Sequence, residues 1–215
     1  MTITAMILKM SEGLGRTFSI FALTLVFSLP LGLIIALLRM SKIKPIRYIA
    51  QVYISIMRGT PLMLQLLVVA YGPFYLFGFS VARNKLIPII IAFSLNYAAY
   101  YAEIYRGGIE AMPVGQYEAA AVLGYSKMQT FMRIILPQVV KHILPSITNE
   151  VITLVKDTSL VRVIAVYEIM WNGQSFIKSS GIIWPLFFTG VYYLLFVGVL
   201  TLLFNYIERR LSYFR

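Results

Sequence analysis

Thr17 to Leu38 contains no charged side chain, and neither does Gly59 to Ala82. A helix needs about 20 predominantly apolar residues to cross the hydrocarbon of a bilayer, so each stretch is long enough to span one. Three further segments have the length: Leu86 to Arg106, Val139 to Ile164, which is the least apolar, and Ile182 to Ile207. The pattern predicts an all-α integral membrane protein with five transmembrane helices at about 17–38, 59–82, 86–106, 139–164 and 182–207. Residues 107–138 form the long loop among them, and nothing divides residues 1–215 into more than one domain. Pro30 is expected to kink the first span. Gly59-Thr60-Pro61 and Gly72-Pro73 mark the second as bent or interrupted.

The net charge of +11 would suggest nucleic acid in a soluble chain, but this one is 60% hydrophobic and only 13% charged. Lys and Arg concentrate in the cytoplasmic loops of membrane proteins. With the amino terminus outside, twelve of them fall in cytoplasmic segments and six outside, with Lys156 inside a span. That ratio favours amino terminus out, carboxyl terminus in and a cytoplasmic 107–138 loop. There is no cysteine and a single histidine, His142, which excludes disulfides, thiol chemistry and multi-histidine metal sites. The first apolar segment is too long for a cleavable signal and lacks a small-residue cleavage site.

Within the loop, residues 118–137 read EAAAVLGYSKMQTFMRIILP. Glu118 to Leu123 are good helix formers, Gly124 supplies a left-handed stop, and Ser126 can cap a second helix running to Pro137. Glu118, Lys127, Gln129 and Arg133 are expected on the outer face of this elbow. Val122, Leu123, Phe131, Ile134 and Ile135 are expected to pack inward. Glu118-Ala119-Ala120, Gly124, then Ile134 and Leu136-Pro137 resemble the EAA loop of permease subunits in bacterial ABC importers. The blocks from Tyr101 to Ile109, at Gly115-Gln116, at Lys156 to Leu160 and at Arg58-Gly59-Thr60-Pro61-Leu62 with Gln65 resemble its polar amino acid branch, the histidine, glutamine and arginine permeases.

That resemblance implies a type I ABC importer transmembrane domain in a bacterial plasma or inner membrane. It implies Glu118, Ala119, Ala120, Gly124, Ser126 and Lys127 as the residues that dock on an ATPase. The partners it implies are an ABC ATPase dimer carrying ATP and Mg, a second permease subunit and an extracytoplasmic amino acid-binding protein. The chain has no G-x-x-x-x-G-K-[ST] stretch of its own, so no cofactor is expected on it and no catalytic residue is assigned.

Polar residues within spans are costly and line cavities or bind neighbouring helices. Ser146, Asn149, Glu150, Thr153 and Asp157 recur at helical spacing in the fourth span, and Asn96, Tyr100 and Glu103 do so in the third. For Ser146 and Asn149, interhelical hydrogen bonding is the favoured reading. Asp157, next to Lys156, reads either as lining the route or as capping the segment after it. Glu103 and Glu150 read as substrate carboxylates, because a buried carboxylate needs a cation. One would meet an α-ammonium and the other a side-chain cation, which points to a basic amino acid, with arginine preferred for its planar fork. Tyr71, in the possible interruption after Leu66, completes the expected set. The alternative is an ion-coupled secondary amino acid carrier in which Glu103, Glu150 and Asp157 bind protons. The absence of an inverted repeat counts against it.

Overall fold

The structure is a computed structural model describing residues 3–78, 84–181 and 183–211. Every element among the described residues is helical. They are α1 (Ile3–Arg39), α2 (Lys44–Gly59), α3 (Leu62–Phe77), α4 (Leu86–Glu110), α5 (Val114–Val122), α6 (Lys127–Thr130), α7 (Leu136–Asp157), α8 (Ile169–Ser180) and α9 (Trp184–Arg210). A π-helical turn, Phe131–Ile135, joins α6 to α7, and a 3₁₀ segment, Thr158–Ile164, follows α7. Among the described residues α1, α4 and α9 are long and apolar enough to cross a membrane, and α2 with α3 makes a fourth span if counted together. With α7, whose 22 residues reach about 33 Å at 1.5 Å per residue, the five expected spans are accounted for. Ala82, Arg83, Ile182 and Arg215 fall outside the described residues.

Two boundaries differ from the sequence expectation. The first helix starts about four turns before Thr17 and continues through Pro30, because Lys9, Glu12 and Arg16 sit on the exposed side of an amphipathic extension. The second span is broken at its start, not at Gly72-Pro73. Residues 44–59 form α2, which meets α3 at 105°. The cause is local: proline disfavours helical backbone in the residue before it, and Thr60 is extended at φ −120°, ψ 148°. Side chains then hold the break. Gln65 Nε2 donates to Met57 O (3.0 Å) and Thr60 Oγ1 (2.7 Å), and Asn96 Nδ2 on α4 donates to Met57 O (2.9 Å) and Gln65 Oε1 (3.0 Å). Pro73 is carried inside α3, which stops at Gly78.

The core is organised around α4. Phe93, Ala98, Ala99, Tyr101 and Ala102 are fully buried. Contact with α1 depends on Gly32, where a Cβ would lie 2.7 Å from Tyr101 Cβ and 3.0 Å from Ala98 O. Contact with α7 depends on Gly108, where a Cβ would overlap Ile143 Cγ2. Lipid tails are as apolar as leucine, so helices in a membrane associate through such close approach rather than through expulsion of water. By contrast α9 turns Leu194, Leu195, Val199 and Leu202 outward, each more than three-fifths exposed.

The link between the last two spans is more ordered than a loop. Glu168 is fully buried and caps α8, its two oxygens accepting from the backbone amides of Met170 and Trp171 at 2.7 Å. Tyr193 Oη on α9 donates to it at 3.2 Å, and the amide of Ile169 reaches Thr17 Oγ1 on α1 at 3.5 Å. Burial pushes the Glu168 carboxyl up to about 7 despite these donors. No sequence signal marked Glu168, because a lone carboxylate outside a span is ordinary.

Candidate functional site

Two groups of residues have a geometry suited to function. The first is the elbow between α5 and α7. Gly124 is left-handed at φ +79°. Tyr125 N donates to Ala120 O and Gly124 N to Ala121 O, both at 3.0 Å, the paired bonds of a Schellman stop. Ser126 then opens the next helix with a capping box: its Oγ accepts from Gln129 N (3.3 Å) while Gln129 Oε1 accepts from Ser126 N (2.9 Å). The helix runs past Pro137. The π turn allows this, since Leu136 N bonds back to Phe131 O, widening the backbone where Pro137 has no N–H to offer and would crowd a carbonyl. Gln116 and Gln138 exchange amide hydrogen bonds at 2.9 and 2.8 Å, tying α5 to the foot of α7.

The elbow's outer surface departs from the expected segregation. Glu118, Ala119, Lys127, Gln129 and Arg133 are exposed, Ala120 is buried, and Ile135 is fully buried as expected. Val122 and Leu123, expected inside, are 88% and 74% exposed, and Met128 is 70% exposed. They lie at the turn itself, on its exposed side. The elbow therefore presents an apolar tip ringed by charge.

The second group lies where α4, α7 and the α2–α3 break converge. Tyr97 Oη donates to Asp157 Oδ2 at 2.7 Å, so Asp157 joins α7 to α4. It caps nothing at the start of the 3₁₀ segment. Tyr100 lies 6.2 Å from the Tyr97 ring and carries the Arg58 guanidinium 5.2 Å from its own ring centroid. Glu150 is half-buried on α7 and has neither an ion pair nor a hydrogen bond among the described residues. Thr153 is half-buried and spends its hydroxyl on Asn149 O at 2.9 Å, while the Asn149 side chain is exposed, as is Tyr71 on α3.

Two expected substrate contacts are committed elsewhere. Asn96 is buried and spends both donors on the α2–α3 break. Glu103 was expected to lack a cation. It accepts from Arg106 Nη2 at 2.6 Å and from Arg106 Nε at 3.2 Å, and lies 4.0 Å from Arg39 Nε. Residues three apart on a helix are neighbours, and Arg106, one turn on, folds back over the carboxylate. Arg58 is the residue the sequence reading left out of this group. Its signal was its position, the last cation before an uncharged span.

Residues 28–213 match the family described as binding-protein-dependent transport system inner membrane component. The chain is 38% identical over 202 residues to the arginine transport system permease protein ArtQ of Bacillus subtilis, covering 94% of this chain and 91% of that one. It is also 38% identical over 216 residues to the L-cystine transport system permease protein TcyB of the same organism, covering 94% and 86%. A crystal structure of an amino acid ABC transporter with histidines superposes with a TM-score of 0.87 at 32% identity, over 98% of this chain and 100% of that one. These similarities replace the ion-coupled carrier reading. A broken span, a glycine elbow with a charged rim and a polar seam between α4 and α7 are thus parts of an integral membrane protein with the type I importer fold, and the chain belongs to the binding-protein-dependent transport family as the permease subunit of an amino acid ABC importer.

Proposed function

We propose that the imported amino acid is basic, with arginine preferred, and that Glu150 is the carboxylate that receives the substrate's side-chain cation. The observation that carries this reading is that Glu150 is half-buried with no ion pair within 4 Å and no hydrogen bond among the described residues, a costly arrangement unless a ligand completes it. Asp157, held by Tyr97, supplies the second anion, in place of the Glu103 of the sequence reading. Tyr100, Thr153 and Asn149 line the same seam. The relationship to an arginine permease supports this reading, while the equal similarity to a cystine permease leaves the experiment to decide it.

Transport follows from alternating access. A pair of ATPase subunits, holding the ATP and Mg, takes the elbow residues Glu118, Ala119, Gly124, Ser126 and Lys127 in its cleft, with the apolar tip at Val122 and Leu123 inserted and the buried Ala120 packed beneath them. Closure of that pair moves the elbow, and the Gln116–Gln138 amide pair carries the motion into α7. A second permease subunit completes the pathway and an external binding protein delivers substrate, with the elbow on the cytoplasmic side.

The test is uptake by the reconstituted importer, with arginine, lysine, histidine and glutamine in competition. Arginine should win in the parent, and Glu150→Gln should weaken it by about tenfold or more while glutamine changes little. Glutamine outcompeting arginine in the parent, or an unchanged preference in the variant, would overturn the reading.

A further inference from the structure

We propose that Arg58, at the break between α2 and α3, receives the carboxylate of the amino acid substrate. The proposal rests on the reading of the α4–α7 seam as the substrate site and adds the group that this reading lacks. Every α-amino acid has a carboxylate to be paired, and a seam whose charges are Glu150 and Asp157 alone would repel it. A cation is required.

The structure narrows which cation it is. Arg39 and Arg106 are engaged with Glu103, and Arg106 also binds Glu110. Lys156, exposed as Arg58 is, follows Val155, a fully buried core residue of α7. Its neighbour Asp157 faces Tyr97, and adjacent residues on a helix do not share a face. Arg58 differs from all of these. It has no carboxylate within 4 Å among the described residues, and it stands at the end of α2, where the break is tied to α4. Its guanidinium lies against the Tyr100 ring.

The position is also well held. Met57 O, one residue earlier, accepts from both Gln65 and Asn96, which fixes the end of α2 against α4 at the break. A guanidinium resting on an aromatic ring has its plane set while its N–H edge stays free, the geometry that grips a carboxylate with two parallel bonds. Placed there, an α-carboxylate on Arg58 leaves the rest of the molecule to extend toward Glu150. Arg58 then recognises what all amino acids share, and Glu150 what distinguishes the basic ones.

The experiment is equilibrium binding of radiolabelled arginine to the purified permease–ATPase complex without the binding protein, competed with arginine or with its decarboxylated amine, agmatine. The parent should bind agmatine at least tenfold more weakly than arginine. Arg58→Gln should lower arginine affinity by about that factor and leave agmatine unchanged, which removes the discrimination, and Arg58→Lys should restore part of it. Equal binding of the two ligands by the parent overturns the proposal without any variant. So does an equal loss for both ligands in Arg58→Gln, or loss of discrimination in Lys156→Gln with Arg58→Gln unaffected. If the parent binds glutamine and not arginine, the basic-substrate reading fails. The Arg58 proposal is then decided by glutamine against 4-aminobutanamide in the same variants.

Discussion

Gly108 and Glu168 show how single residues set the tolerance of this fold. A Cβ on Gly108 would overlap Ile143 Cγ2, so Gly108→Ala forces α4 and α7 apart. Overpacking of this kind costs about 1–3 kcal/mol. The variant should melt lower in detergent, and Gly108→Ala with Ile143→Ala should recover most of the loss, whereas no recovery would place the strain elsewhere. For Glu168 the quantity to follow is pH. Its folded carboxyl is raised to about 7 from an ordinary 4.5, so the folded chain holds a proton that the unfolded chain has released. Its stabilising contribution is complete below about 4.5 and disappears as pH rises through about 7. The melting temperature of the purified complex should therefore fall between pH 5 and pH 8, and Glu168→Gln should flatten that slope. An equal slope in the variant would assign the pH dependence to other groups.

At the scale of elements, the elbow is where local chemistry and tertiary position separate. Gly124 and Ser126 were legible because a left-handed stop and an N-cap depend only on neighbours in sequence, and the structure has both. The orientation of Val122 and Leu123 was not, because helical periodicity shows that two faces differ without showing where the rest of the molecule lies. The same limit hid α2: a cationic stretch between apolar runs reads as a loop until something packs against it, and here Ile54 packs against Ala98 and Ala99. Glu103 was misjudged because a stripe of polar residues says nothing of a longer arginine one turn away. Two substitutions test the elbow. Ser126→Ala removes half of the capping box and should cost about 1 kcal/mol, lowering uptake modestly with ATPase binding retained. Gly124→Leu places a side chain on a residue at φ +79°; it should leave the permease in the membrane and abolish substrate-coupled uptake. Normal uptake by Gly124→Leu would remove the elbow from the coupling path.

For the whole molecule, orientation is the property most directly open to measurement. The chain has no cysteine, so one introduced thiol reports its own side. Cysteine at Ser126, on the elbow, should react with an impermeant reagent only from the cytoplasm, and cysteine at Asn84, beside the start of α4, only from outside. Reaction of both from one side would refute the five-span topology. The outward apolar face of α9 contrasts with α4: one helix leaves most of its apolar side chains uncovered by this chain, and the other turns most of them into the core. The notch at Gly32 is filled late in synthesis. α1 and the segment of α4 that fills its notch are separated by α2 and α3, so α1 is complete roughly seventy residues before α4 is. At about 5–20 residues per second of synthesis, the first helix waits several seconds in the bilayer without its partner. Its inward face is built to endure that wait. Thr17, Thr24 and Ser28 are its fully buried polar side chains, small hydroxyls that can turn back to their own helix's carbonyls. A carboxylate in their place would have cost the newborn helix about 2.5–3.5 kcal/mol near the bilayer centre before α4 arrived to shelter it.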